Sequence, residues 1–383
     1  MPTYPTYKLG EIIDKVPIEF KVKQKEYLSN GKFPVVDQGQ DLIGGFVDDE
    51  SLLVKTELPV IVFGDHTKAK KFIDFPFVAG ADGTKIIKPK KEFFIEPKLF
   101  YWFLHCVKFP DKGYARHFQY LLNSDIAVPP LPTQQAIVAR IEALFAELDK
   151  AAKHLRTAQQ QLKTYRQAVL NHWLNNDDGK WEMVPIKEII SVISNGSTPK
   201  ADKMFSKGEI QFLKVYNLNF DGSINLSKEP VFIERDTHET LLKRSQTKQG
   251  DVLINIVGPP LGKVSIIPEG EKEYNINQAI VMFRPNEFVT SKFLAYYLMS
   301  PQVIAWLTST SKATAGQYNV KVSTCREIMF PKISISDQHR IGQEIESRLS
   351  QAEAAEASIA EALQKTEALR QSILKKAFSG ELV

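Results

Sequence analysis

The sequence predicts an α+β protein in which two mixed α/β globular domains are separated by two long antiparallel coiled-coil helices, with pseudo-two-fold and pseudo-cyclic organisation. Three observations predict it. An apolar 4-3 repeat runs for five heptads from Ile137. The same pattern returns near the end of the chain. The segments preceding the two copies share one order: lead-in, short strands, buried helix and Pro-marked exit.

Alternate steps of four and three from Ile137 give Ile141, Leu144, Leu148, Ala151, Leu155, Ala158, Leu162, Tyr165, Val169 and His172, nearly all apolar or small. A seam of this period, with Gln, Lys, Arg and Glu between, marks a parallel or antiparallel coiled coil, which needs a partner helix. The partner is in the same chain. Gln134/Gln338, Ile137/Ile341, Ile141/Ile345, Glu142/Glu346, Arg166/Arg370, Gln167/Gln371 and Leu170/Leu374 are identical at one offset, 338 − 134 = 204. The second seam is therefore expected through Ile341, Ile345, Arg348, Ala352, Ala355, Ile359, Ala362, Thr366, Leu369, Ile373 and Lys376, with Leu349, Leu363 and Ala377 one place along. Two unrelated amphipathic helices, each packed on its own domain, are the competing reading, and the shared register disfavours them.

Thr133 and Asp337 stand where N-caps belong, and Gly380 where a helix should end. The expected boundaries are 1–132 and 177–335 for the globular domains, and 133–176 and 336–383 for the helices. If the halves are equivalent, the C-terminus finishes close to where the first domain begins. That closure is what makes the helices antiparallel.

Within the first domain, Tyr7–Ile13 reads as a short helical lead-in, repeated at Val184–Ile190. The β-branched runs Phe33–Gln38, Pro59–Phe63 and Thr84–Lys88, bounded by Gly, Asp and Pro, read as strands, and Pro97–Val107 as a buried helix. The second domain follows the same plan, with strands at Ile210–Val215, Asp251–Val257, Lys263–Ile267 and Ala279–Phe283 and a late helix at Phe293–Met299. The exits are Ile126–Pro132 and Ile328–Ser334.

The balance of 49 Lys and Arg against 45 Asp and Glu permits a nucleic-acid partner without requiring one. The two cysteines, Cys106 and Cys325, make neither a disulfide framework nor a zinc site, and fit a reducing cytoplasm. The start lacks a basic and apolar leader, and no run approaches the ~18 apolar residues of a membrane span. A soluble, cytoplasmic, unexported protein is expected.

Catalytic motifs are missing. There is no Asn-Pro-Pro-Tyr-like or Asp-Pro-Pro-Tyr-like tetrad and no glycine-rich nucleotide loop. The string Gly258-Pro-Pro-Leu-Gly-Lys-Val-Ser has three residues rather than four between its glycines, and Val264 where a P-loop places a Mg²⁺-binding hydroxyl, so it reads as a turn between strands. Asp65-His66 has no second His or carboxylate at ligand spacing, and no metal site is expected.

Over nearly its full length the chain resembles the specificity subunit of Type I restriction-modification enzymes. The resemblance is carried by Phe33-Pro-Val, Gln38-Gly, Gly44-Gly-Phe-Val, Val62-Phe-Gly-Asp-His-Thr, Gly80-Ala-Asp-Gly and Pro129-Pro-Leu-Pro-Thr-Gln in the first half. In the second half it rests on Gly196-Ser-Thr-Pro, Lys248-Gln-Gly-Asp-Val-Leu-Ile, Asn275-Ile-Asn-Gln-Ala-Ile and Arg370-Gln-Ser-Ile-Leu. It implies a non-catalytic subunit whose two globular parts are target recognition domains, each reading half of a split double-stranded DNA site, with the helices setting the gap. Two methyltransferase subunits would dock on it, and restriction and translocase subunits would join. S-adenosylmethionine, ATP and Mg²⁺ would then be used by those other subunits, with no cofactor on this chain.

DNA contact needs cations for phosphate and amide, guanidinium or small polar groups for base edges. In the first domain the candidates are His66, Thr67, Lys68, Lys70, Lys71, Lys112, Arg116, His117 and Gln119. In the second they are Lys200, Lys203, Lys214, Tyr216, Asn217, Asn275, Asn277, Gln278, Gln317 and Tyr318. Two other function classes compete. A stand-alone DNA-binding scaffold would recruit no enzyme, whereas Val138, Phe145 and Leu174 offer further apolar faces for docked subunits. A nucleotide hydrolase using the loop at Gly258 would bind ATP.

Overall fold

The computed structural model describes residues 4–110, 116–190, 192–270, 272–314 and 317–382. The chain divides into two compact units, Met1–Arg156 with Ala360–Val383, and Thr157–Ile359. Two 44-residue helices, Leu131–Leu174 and Ile335–Phe378, each contribute to both units.

In the first unit a four-stranded antiparallel sheet has the order Ile13–Lys15, Thr84–Pro89, Val60–Gly64, Lys70–Ile73. Alternation along the central strand serves two cores. Ile61 and Phe63 pack with Phe100 and Leu104 of the helix Pro97–Leu104, while Val60 and Val62 pack with Val36 and Phe77. Burial on both faces explains why this strand is apolar without interruption. A second sheet, Gly45–Val47, Phe33–Val36, Val78–Ala79, joins its first pair antiparallel and its second parallel.

The second unit repeats both sheets. The order Val192–Asn195, Ile280–Arg284, Val252–Asn255, Val264–Ile266 matches the first sheet strand for strand, again all antiparallel. Phe232–Ile233, Ile210–Leu213 and Tyr274–Ile276 match the second, including the parallel pair. Here Val252 and Ile254 face the helix Ser291–Leu298, and Leu253 faces Leu213 and Met282. The second unit adds a helix, Pro301–Thr310, and a hairpin, Lys312–Thr314 with Gln317–Asn319.

Each expected helical lead-in begins as a strand and keeps only one turn. Thr6–Lys8 is a strand paired antiparallel with Asp125–Ala127 in the exit, followed by one helical turn, Leu9–Ile12. Met183–Pro185 pairs likewise with Met329–Pro331, followed by the 3-10 turn Ile186–Glu188. Entry and exit of each domain are thus zipped together at the base of a long helix.

The helix pair runs antiparallel within each unit. In the first, Ile137, Val138, Ile141 and Phe145 share a core with Leu374 and Ala377, and Asp149 pairs with Arg370. In the second, Val169, Leu170 and Leu174 share a core with Ile341 and Ile345, and Arg166 pairs with Glu356 at 3.1 Å. The seam differs from the expected one by a slip. Ile137, Ile141 and Val169 are buried and Leu148, Leu155 and Leu162 partly buried, but Phe145 and Ala152 are more deeply buried than the expected Leu144 and Ala151. Tyr165 is exposed, and Arg166 takes its place.

On the other helix, Ile341 and Ile345 are buried, Ile359 and Ile373 partly buried, and Leu369 is 51 % exposed. Ala352 and Thr366, both expected in the seam, are buried as well. From Ile141 the spacing is therefore four then three, so alternate members move by one residue. Arginine explains why apolar counting misses this: Arg370 fills its seam position with stem and guanidinium, 4.7 Å from the Phe145 ring. Val138, Phe145 and Leu174, expected as free apolar faces, are instead packed inside their units.

Both helices start before their expected caps. Asp337 is three residues past Ser334, whose hydroxyl accepts from the Asp337 N–H at 3.1 Å and is the true cap. Thr133 lies equally inside its helix, its N–H donating to the Pro130 carbonyl. Gly380 terminates the second helix as expected, with φ +76° and the Glu381 N–H reaching back to the Lys376 carbonyl. No described helix is long and apolar enough to cross a membrane.

Candidate nucleic-acid interface

Topology gathers the polar loops of each unit at one edge. In the first unit the strands ending at Val36, Gly64 and Ala79 finish there, and Lys70 and Thr84 begin there. The loops are tied to one another. The Asp65 N–H donates to the Gly83 carbonyl at 2.8 Å, the Thr67 hydroxyl to the Gln38 carbonyl, and the Gln40 amide to the Thr67 carbonyl at 3.4 Å. His66 is partly buried, its N–H 3.4 Å from the Gln38 side-chain oxygen. Thr67 is exposed.

Lys68, at φ +61°, and Lys70 hold their ammonium groups 6.0 and 5.4 Å from the Phe109 ring centre. Burial lowers the Lys70 pKa, with neighbouring Lys68 adding to the effect. Arg116 and Gln119 are exposed beside this edge, since the His117 N–H donates to the Asp65 carbonyl and the Phe118 N–H to the Asp65 carboxylate at 2.9 Å. Lys112 lies outside the described residues.

The second unit builds the same edge from the ends of the strands at Leu213, Asn255 and Ile276 and the start at Val264. Lys214 heads a 3-10 turn there, and Tyr216 donates its hydroxyl to the Glu229 carbonyl at 2.9 Å. Asn277 is partly exposed and Gln278 exposed, the latter accepting from the Thr198 hydroxyl. Gly196 packs so closely on the Ile276 carbonyl that a Cβ would overlap it, which is why glycine opens this turn. Lys200 is exposed and Lys203 partly exposed on the adjoining turn. Tyr318 is partly buried, its strand pairing with Gly258, and Gln317 lies in the same strand.

Four expected contacts belong to the interior instead. Lys71 is 4 % exposed on the strand Lys70–Ile73, paired with Asp37 at 3.5 Å. His117 is fully buried, its ring against Phe109 and Tyr120. The Asn217 amide donates to the Asn225 and Lys228 carbonyls, and the buried Asn275 links Ser245, Leu242 and His238. Asn217 and Asn275 spend their hydrogen bonds inside the domain and so hold a loop's shape, His117 packs through its ring, and none of the four reaches the surface.

The Gly258 string is a turn. Asn255 braces it by donating to the carbonyls of Val257 and Pro260 at 3.1 and 3.0 Å and accepting from the Lys263 N–H at 2.9 Å. Among the described residues no group of three or more His, Cys, Asp or Glu is placed to hold a metal ion.

The profile of the Type I restriction modification DNA specificity domain matches residues 1–156 and again 178–366. The chain belongs to this family. Among its relatives is the Type I restriction enzyme EcoBI specificity subunit of Escherichia coli, 29 % identical over 288 residues, 68 % of this chain and 59 % of that protein. The match thus spans under two thirds of that relative's length. The EcoR124I/EcoR124II specificity subunit of Escherichia coli is 23 % identical over 87 % of this chain and 83 % of its own. The fold is shared with the HsdS subunit from Thermoanaerobacter tengcongensis, at TM-score 0.56 and 19 % identity over 100 % of this chain and 98 % of that one. A chain from a structure on complex assembly and conformational transition of the type I R-M system gives TM-score 0.74 at 18 % identity, covering 100 % and 99 %.

In this specificity-domain protein the edge also contains residues that sequence reasoning passed over. Lys263, inside the discounted string, sits with its ammonium 5.8 Å from the ring of the exposed Phe220 and bonds the Val215 carbonyl. Gln38 and Gln40 were hidden because their register after a strand, more than their type, puts them at the edge. The Gly-Asp of Lys248–Ile254 has a structural role: Asp251 is 1 % exposed and takes two bonds from Arg284, at 2.8 and 2.7 Å.

Proposed function

We propose that the chain is the DNA sequence-recognition subunit of a Type I restriction-modification system and is itself non-catalytic. Each polar edge reads one half of a bipartite double-stranded site, and the paired helices set the gap. The observation that carries this is the repetition of one edge, built on the same two sheets, in a chain whose family profile matches twice. Loops braced on a rigid sheet suit base reading, because the scaffold supplies position while the loop supplies chemistry. Exposed Arg116 and Lys200 suit phosphate, and Gln119, Asn277 and Gln278 suit base edges.

In this reading two methyltransferase subunits bind the chain and bring S-adenosylmethionine, and restriction and translocase subunits bring ATP and Mg²⁺. The work takes place in the cytoplasm, where the DNA is. Reconstitution tests it. The purified chain with S-adenosylmethionine should leave DNA unmodified, and adding the methyltransferase subunit should give adenine methylation. Methylation by the chain alone would overturn the non-catalytic assignment, and a complex that methylates without site preference would overturn the recognition role.

A further inference from the structure

Scattered exposed apolar side chains are ordinary, but the same one placed twice by a repeat is informative. Phe94 is 73 % exposed and Phe288 63 %, the two highest values for large apolar residues among those described. They are equivalent. Each stands two residues before the cap of a domain helix, Glu96 for Pro97–Leu104 and Thr290 for Ser291–Leu298. Each carbonyl accepts from a buried glutamine in the first turn of a long helix, Gln134 to Phe94 at 3.1 Å and Gln338 to Phe288 at 2.7 Å. The backbone is therefore fixed while the ring is left in water.

Their position speaks for a protein partner. The strands Thr84–Pro89 and Ile280–Arg284 both start at the polar edge and run away from it, and the two phenylalanines follow their far ends. DNA on the edge would not meet them. Phe94 is also held at φ +49°, a conformation that costs a non-glycine residue about 1 kcal/mol or more and is kept although most of the side chain stays in water. Tyr165 and Leu369, 204 positions apart, are likewise both exposed on the long helices.

We infer that Phe94 and Phe288 anchor two equivalent docking sites, one on each unit, for two copies of the methyltransferase subunit. Two copies of one surface select two copies of one protein, and a backbone held in place before binding leaves only the side chain to be ordered on docking. The inference rests on the reading of the chain as a specificity subunit.

Native mass spectrometry of the chain with the purified methyltransferase subunit of its system tests it. The unaltered chain should assemble with two methyltransferase copies. Phe94→Ser and Phe288→Ser should each retain one, through a loss of about 30-fold or more in affinity at the altered site, and the double variant none. Phe94→Leu and Phe288→Leu keep an apolar anchor and should bind two, as should Leu241→Ser, which alters another exposed apolar residue elsewhere. Melting temperatures should match the unaltered chain. A double serine variant that still binds two copies overturns the inference alone. An unaltered chain that binds no methyltransferase overturns the reading beneath it as well. Self-association of the chain that the serine variants abolish would assign the rings to a second copy and overturn the inference too.

Discussion

Gln134 and Gln338, 204 positions apart, are wired to the same three backbone groups in their own units. Gln134 accepts from the Glu96 N–H at 2.8 Å and donates to the Phe94 and Pro129 carbonyls at 3.1 and 2.8 Å. Gln338 accepts from the Thr290 N–H at 2.9 Å and donates to the Phe288 and Ile333 carbonyls at 2.7 and 3.2 Å. Eight residues on, Glu142 pairs with Lys98 and Glu346 with Lys292, both at 2.7 Å. The joint between domain helix and long helix is thus built twice from the same parts.

Gln134→Ala strands three backbone groups in a buried place, and each unmade bond leaves a desolvation cost. The expected loss is about 2–4 kcal/mol in urea denaturation, and Gln338→Ala should cost its unit a similar amount. A change under about 0.5 kcal/mol for either would show that the joint is not held this way.

This joint was legible as identity without being legible as structure. The offset exposes Gln134/Gln338 and Glu142/Glu346, yet nothing in sequence says that a helix glutamine will cap the loop before another helix. Apolar periodicity located both long helices but slipped alternate seam positions by one, because Arg166 and Arg370 occupy seam places that counting reserves for apolar residues. Lys71 counts as a DNA cation by residue type, but its burial against Asp37 on the strand Lys70–Ile73 reverses the usual meaning of its charge. Asn217, Asn275 and His117 were misread for the same reason. Polar residue types locate a loop, and only packing tells which side chains face out of it.

His105 makes the first unit acid-sensitive. Burial, with Lys70 nearby, lowers its pKa to about 4. The unfolded ring takes a proton near pH 6.5 and the folded ring only near 4, so unfolding binds a proton in that window and stability falls as pH falls through it. The contribution is at most about 3 kcal/mol. Urea denaturation between pH 7 and 4 should show a shallower decline for His105→Phe, and identical slopes would contradict the assignment.

Cations at the edges should act separately from buried polar groups. Arg116→Ala and Lys200→Ala should weaken DNA binding across sequences and each reduce the salt slope by about 1, without loss of stability. Asn275→Ala should do the reverse, destabilising its unit by about 1–3 kcal/mol through the unpaired groups of Ser245 and Leu242 and leaving the salt slope of the folded protein unchanged. Binding titrations at several salt concentrations separate the two.

The helices as spacer can be tested by lengthening both. One heptad inserted after Ala158 and one after Ala362 keeps both seams in phase. Seven residues at ~1.5 Å rise add about 10 Å, or about one to three base steps once bending and oblique alignment are allowed for. The half-site sequences should stay the same. An active enzyme with an unchanged gap would show that the helices are not the ruler.

The most direct measurement is methylome sequencing of a cell carrying this chain with its methyltransferase subunit. Two polar edges in two units predict one asymmetric target, made of two unlike short half-sites separated by a fixed run of unspecified bases, with one methylated adenine in each half. A single contiguous site, or methylation of one half-site wherever it occurs, would contradict the account of two edges reading together.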